Sequence, residues 1–479
     1  MGNKAQDIGE KAKRRKYGQH LTSFDIFYKH ILPEIKNLLR NYLWVDLYAG
    51  EGNLILPILK EIQPEDRETF FKEHIFLADV HEEMVKKCMS NAESYGISNE
   101  IASANIKLRD NLESFPQILK RKKHPIFHIT NPPYLYLGYI KKHKETQNYL
   151  DYFKNDNEGY QDLYQIAMIN DLRNKIGNLI YVIPSNFLFG ASVSNKVRRD
   201  FLKYYRITKM IIFETSVFEF TGTNICISFF NRKTHLNDEI QSFKAIKFKN
   251  KNTFLNREYH LTPKYKYRAG SEFDEFLEEF TAHNSLKISY YLQNDEVLKN
   301  SGPIEISVID ANKYENNHYR KLILKVNKNL QEKLHRNILY VRTVDTGSVD
   351  GRAGLGIIKE HFGVNGIYVS GNTYRTHPIQ IFLNPELSFN DQLLLRNYFN
   401  IILEHFREKL DSEFLTTYKY SNANYTRKYL GLTQVRGILE TFPYELEVEK
   451  KKRLKALIEK GSVIDIIKMI GDYKTTQKV

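Results

Sequence analysis

Over residues 43–52 the sequence LWVDLYAGEG sets a run of apolar side chains before two glycines, and NLILPILKEI follows with helix-forming character. A short apolar run bounded by turn residues fits a strand covered on both faces, and Pro57 suits a helix only in its first turn. The pattern predicts strand, tight turn and helix. It recurs in HIFLADV, which closes on Asp79 and leads into HEEMVKKCMSNAESYG, where Gly96 suits the C-cap. Upstream, Thr22 opens a capping-box-like TSFD, and Phe24, Phe27, Ile31, Ile35, Leu38 and Leu39 recur at helical spacing to about residue 40. IKLRDNL, PIFHITNPPY, GNLIYVIPSNF, ITKMIIFE and TNICISFFNRK supply further strands to about residue 235. Strands alternating with helices predict an α/β domain: a mostly parallel twisted sheet with helices on both faces.

Past residue 235 the chain turns polar, Lys-rich and Tyr-rich (KAIKFKNKN, KYKYR), and no comparable buried strands are expected. Residues 345–371 hold seven of the 24 glycines, which predicts turns on a β-containing module. FNDQLLLRNYFNIILEHFREKL reads as one long helix, and the last stretch as a charged helical tail. The expected division is 1–235, 236–445 and 446–479.

Composition narrows the function. The 71 Lys and Arg against 57 Asp and Glu give a formal +14, which favours a polyanionic partner such as nucleic acid. Cys88 and Cys226 are too few for a disulfide framework or a zinc site, so a reducing cytoplasm is expected. The charged opening lacks a secretory apolar stretch, the longest apolar runs are strand-sized, and Gln6 stands where a myristoylation signal needs Ser or Thr. No membrane association is expected.

The turns carry the chemistry. Gly50 and Gly52 lack the third glycine of a dinucleotide fingerprint, and Glu51 between them is poor company for a pyrophosphate. A ligand without phosphates fits better, and S-adenosyl-L-methionine, a cation through its sulfonium and ammonium, suits the carboxylate of Asp46; an ordinary βα turn is the plain alternative. Asp79, ending the second strand, is placed to accept two ribose hydroxyls, and Asp110, ending the third, to meet an adenine amine. Each also suits a helix N-cap.

The turn at residues 131–134, Asn-Pro-Pro-Tyr, stops a core strand abruptly. An exocyclic amine shares its lone pair with the ring, so its nitrogen must be drawn toward tetrahedral geometry before it attacks a methyl carbon. The side-chain oxygen of Asn131 and the carbonyl of Pro132 could accept its two hydrogens, and Pro132 and Pro133 would hold that carbonyl rigid. Tyr134 offers a ring for a planar base to stack on, and Phe218 is a further aromatic candidate that a core position explains as well. Asn-Pro-Pro is also simply a strong turn signal.

RRKYGQHLTS, VDLYAGEGNL, LADV, RDN, ITNPPY, IPSNF and VFEFTGTNICISFF occur in the order found in gamma-class adenine-specific DNA methyltransferases of bacterial restriction-modification systems, and residues 14–232 resemble that family. The resemblance implies a Rossmann-like class I methyltransferase domain with a C-terminal mixed α+β target-recognition domain. It implies that Thr22, Asp46, Ala49, Gly50, Gly52, Asp79 and Asp110 contact S-adenosyl-L-methionine. Asn131, Pro132, Pro133 and Tyr134 would grip an adenine flipped out of duplex DNA, with Phe218 on its other face, and no metal is required. Arg342, Arg352, Arg375, Tyr425 and Arg427 are the DNA-contact candidates in the C-terminal half. A monomer acting on DNA and paired with a separate restriction endonuclease completes the expectation. RNA or protein-glutamine methylation, a fused restriction-modification enzyme and a non-catalytic DNA-binding subunit are the rival readings.

Overall fold

The computed structural model describes residues 22–215, 217, 224–236, 239–250, 252–345, 351–373, 377–420 and 426–476. The chain divides into two compact units, Met1–Ala269 with Lys419–Thr426, and Gly270–Tyr418 with Arg427–Val479. The first is built on a nine-stranded sheet. Its strands are β1 (Leu43–Asp46), β2 (Ile75–Asp79), β3 (Ile106–Leu108), β4 (Ile126–Thr130), β5 (Asn178–Pro184), β6 (Tyr205–Phe213), β7 (Ile225–Arg232), β8 (Gln241–Phe248) and β9 (Phe254–Leu261), in the order β3-β2-β1-β4-β5-β7-β6-β8-β9.

β1 pairs in parallel with both β2 and β4, so the chain winds one way from β1 to β3 and the other way from β4 onward. That reversal is the switch point at which open α/β sheets leave a crevice for ligands. β7 runs antiparallel between β5 and β6. Every residue of β1 and β2 is buried, the covering on both faces that their unbroken apolar runs predict.

Three local expectations change. The helix predicted from Thr22 lacks a side-chain cap and is broken into an α turn at Phe24–Ile26, a π turn at Phe27–Ile31, an α turn at Leu32–Ile35 and a 3-10 turn at Lys36–Asn41. Pro33 is the physical cause, since it has no N–H to give to the preceding turn. The helix expected after the glycine turn is a single 3-10 segment, Leu56–Glu61, with Pro57 in its first positions.

The third change concerns the boundary at residue 235, which falls inside the sheet rather than at a domain edge. β8 and β9 extend the same sheet and the compact unit runs to Ala269. β8 alternates buried and exposed positions, and one inward residue is Lys247, fully buried with Nζ 3.2 Å from Glu214 Oε1. A lysine at a core position masks the period-2 pattern.

The second unit is mixed α+β. It has two four-stranded sheets and the 21-residue helix Phe389–Lys409, which Ser388 caps by accepting from Asp391 N–H at 3.1 Å. Leu395, Tyr398, Phe399, Ile402, Leu403 and Phe406 form its buried stripe. The terminal helices Val448–Glu459 and Val463–Thr476 are not a free tail, because Leu454, Ile466 and Ile470 are buried in this unit's core. Among the described residues no helix is long and apolar enough to cross a membrane.

Candidate active site

Parallel pairing puts Asp46 beside Leu77 and Val45 beside His128, so β1, β2 and β4 end together at one edge of the sheet. Their tips are Asp46, Asp79 and Thr130, with Asn131 the next residue. Thr22, Asp46, Tyr48, Ala49, Gly50 and Asn131 line one cleft at this edge. Five of the residues expected at the site therefore meet around a single space. Its volume among the described residues is about 30 Å³, room for a water molecule.

The glycine turn is fixed from the neighbouring strand. Asp79 Oδ2 accepts from Gly50 N–H at 2.9 Å and Oδ1 from His81 N–H at 2.9 Å. Gly50 and Gly52 have φ of 53° and 85°. At Gly52 a Cβ would lie 2.5 Å from Leu56 Cδ1 and 3.0 Å from Cys88 Sγ, both buried, so neither the backbone nor the space admits a side chain.

Asp46 is buried behind the turn. Its Oδ1 accepts from Thr130 Oγ1–H at 2.6 Å and from Tyr48 N–H at 3.0 Å. Burial pushes its carboxyl up to about 6, against the opposing pull of His128, Thr130 and the Tyr48 amide. Burial raises Asp79 as well. His128 Nε2 accepts from Leu47 N–H at 3.2 Å, which assigns the ring proton to Nδ1, and Nδ1–H donates to Asp171 Oδ2 at 2.6 Å. Tyr181 donates to the same oxygen at 2.6 Å. This buried chain holds the end of β1 in place from β4, β5 and the helix Leu163–Arg173.

Asn131 Nδ2 donates to Thr22 Oγ1 at 3.0 Å. The single hydroxyl hydrogen of Tyr134 is shared between two acceptors, Asn131 Oδ1 and, at 2.5 Å, Val182 O. The Asn131 amide is thus oriented from both ends before any ligand arrives. Tyr134 itself is only 8% exposed, with its ring edge-on to Tyr164, so its geometry is that of an anchor for Asn131, and stacking needs the turn to open. Pro132 is buried and Pro133 half-buried. After the turn, Asp162 accepts from Leu135 N–H at 2.9 Å, and burial lifts its carboxyl to about 7.

Asp110 stands apart from the cleft. Its Oδ1 accepts from Leu112 N–H at 2.9 Å and Glu113 N–H at 3.2 Å, and Tyr152 bonds Oδ2. The neighbouring Asn111 is the residue turned toward β1: its Nδ2 donates to Leu47 O at 2.7 Å, and its buried Oδ1 has no hydrogen-bond partner among the described residues. Asn111, Thr130, His128, Asp171 and Asp162 were not singled out from sequence. Their partners lie far along the chain, and only His128 and Thr130, inside the strand that leads to Asn131, offered a local signal.

The donor set suits a cationic nucleoside. Among the described residues no Lys or Arg lines the cleft, while Asp46 and Glu51 do. Phosphates would meet carboxylates instead of cations.

In the second unit Arg342 lines a groove and lies near His361, while Arg352 is paired with Glu404 and Arg427 is exposed. Phe218, Arg375 and Tyr425 lie outside the described residues.

The strand order, with β7 antiparallel between β5 and β6, defines a Rossmann-like methyltransferase fold. The chain belongs to the N-6 DNA methylase family, whose profile matches residues 15–321. Among solved structures, the type IIL restriction-modification enzyme MmeI in complex with DNA is similar over 97% of this chain and 77% of its own, at 13% identity and a TM-score of 0.51. The DrdV–DNA complex matches 53% of this chain at 14% identity and a TM-score of 0.39, and the type ISP enzyme LlaGI with a DNA substrate mimic 61% at 14% and 0.37. This chain spans 31% of the DrdV chain and 30% of the LlaGI chain. A sequence comparison with curated proteins found no match.

Proposed function

We propose that the first unit transfers a methyl group to the exocyclic N6 amine of an adenine in DNA. S-adenosyl-L-methionine, when bound, supplies the methyl on a sulfonium. The observation that carries this reading is the meeting of Asn131, Asp46 and the glycine turn in one cleft at the sheet's switch point. Membership in the N-6 DNA methylase family supports it.

In this reading Asp46 offers a buried carboxylate to a cation, and Asp79 holds Gly50 in its left-handed conformation while keeping lone pairs for hydroxyls. Asn111 acts through the strand end: its Nδ2 donates to Leu47 O and holds the residue after Asp46 in place. Asn131 Oδ1 and the Pro132 carbonyl accept the two hydrogens of the target amine. Thr22 and Tyr134 pre-set the Asn131 amide, so little reorganisation is needed when the nitrogen becomes tetrahedral. The target base is inside a duplex, and its extrusion costs a few kcal/mol. The methylated nitrogen is strongly acidic, so its proton leaves without a dedicated base.

The second unit supports DNA as substrate. A groove of about 820 Å³ is lined by Lys321, Arg342, His318, His361, Tyr314 and Tyr319 among others, and among the described residues no carboxylate lines it. Cations and ring faces without acidic neighbours fit phosphates and bases. Protection of that DNA from a restriction endonuclease is the cellular role this reading carries.

Asn131→Ala tests it. Methyl transfer from tritiated S-adenosyl-L-methionine to mixed genomic duplex DNA should fall by about a hundredfold or more, as when one transition-state acceptor or donor is removed. Calorimetric affinity for the cofactor should hold. Full activity in the variant overturns the assignment.

A further inference from the structure

The opposite edge of the same sheet carries a second constellation, at the starts of its strands. His74 closes the helix Arg67–His74 just before β2, and His124 lies two residues before β4. Ligand atoms of Glu73, His74 and His124 lie within 4.8 Å of one another. His74 is buried, His124 half-buried and Glu73 exposed, so the group is open to solvent on one side.

The hydrogen bonds prepare these residues for a cation. His74 Nδ1 lies 2.8 Å from Tyr42 O, just before β1; a carbonyl only accepts, so Nδ1 carries the proton and Nε2 presents its lone pair. That carbonyl-bound imidazole is the usual arrangement of a metal-ligating histidine. Phe70 stacks on the His74 ring at 4.8 Å, and the His124 ring lies 4.1 Å from it. The carriage is rigid as well: Asn105 Nδ2 donates to the carbonyls of Phe71, Lys72 and Ile75 at 3.0, 3.0 and 2.9 Å, clamping the backbone on both sides of residues 73 and 74.

We propose that Glu73, His74 and His124 form a site for a divalent transition-metal ion, zinc by its nitrogen and oxygen donor set, that ties together the starts of β1, β2 and β4. Zinc–donor bonds of about 2.0–2.1 Å require donors about 3.4 Å apart, so side-chain rotation of roughly an ångström closes the site. Water completes the coordination. The ion sits at the edge away from Asp46, Asp79 and Asn131, so its role is to hold the sheet and not to take part in methyl transfer.

Calorimetric titration of the chelator-treated full chain with zinc chloride tests the site. One ion per chain is expected, and zinc should raise the unfolding temperature while leaving methyl transfer unchanged. Glu73→Gln, at the surface, and His124→Gln, at a half-buried position, should each weaken binding at least tenfold. His361→Gln, in the groove of the second unit, should leave it intact. Absence of saturable binding overturns the proposal, as does binding that survives both the Glu73 and His124 variants or is lost with His361→Gln.

Discussion

Thr130→Val removes one hydroxyl from the interior and leaves its shape. In the wild type, Thr130 Oγ1–H donates to Asp46 Oδ1 at 2.6 Å, and burial already holds that carboxyl at about 6. A hydrogen bond to an ionised acceptor contributes about 1.5–3 kcal/mol. Its loss penalises only the ionised form, and at 1.36 kcal/mol per pH unit the Asp46 midpoint moves up by about one to two pH units. The sign follows from the cation: ionised Asp46 attracts it, so cofactor affinity is full above the midpoint and weakens as pH falls through it. Two unit charges about 4 Å apart interact by about 4 kcal/mol at an effective dielectric of 20, and a third of that is a tenfold change in Kd. Calorimetric titration with S-adenosyl-L-methionine from pH 5 to 9 reads the midpoint directly. The wild type should bind fully above pH 7 and lose affinity below about 6, while T130V should already be weakened at pH 7. Thr130→Ser keeps the hydroxyl and should restore the wild-type profile. A T130V profile that superimposes on the wild type refutes the reasoning.

Two further perturbations probe the frame around that carboxylate. Gly52→Ala places a methyl 2.5 Å from Leu56 Cδ1 at φ 85°; left-handed backbone and overpacking together should cost about 2–4 kcal/mol, read as a lower denaturant midpoint, and an unchanged midpoint contradicts the geometry. Asp171→Ala leaves the buried Nδ1–H of His128 and the Tyr181 hydroxyl without their acceptor. Two bonds to a charged acceptor at about 1.5–3 kcal/mol each predict a loss of about 3–6 kcal/mol in urea unfolding; a loss under about 1 kcal/mol shows the chain from Leu47 to Tyr181 to be dispensable.

Much of the first unit was written locally. VDLYAGEGN fixes a buried strand, two positive-φ glycines and a carboxylate within eight residues, and these need no distant partner to be recognised. TNPPY is similar, because proline acts through its own ring. The partners of those motifs were not legible. Asp46 meets Thr130 across 84 residues and Leu47 meets His128 across 81, and no spacing rule links them. Asp110 and Asn111 are adjacent and equally polar in sequence, but the chain's path after β3 turns Asp110 to cap Leu112 and sends Asn111 toward Leu47. β8 was hidden because Lys247 occupies a core position, where the Glu214 carboxylate pairs with its charge.

By itself, then, the sequence determined which segments are buried strands, where the glycines and prolines force the backbone, and which carboxylates and amide stand at strand ends. The tertiary structure alone decided which of these groups share a cleft, what holds each in orientation, and how far the sheet extends. Local patterns encode backbone conformation because sterics act over a few residues, whereas hydrogen bonding in a buried site depends on atoms that folding brings together from distant parts of the chain.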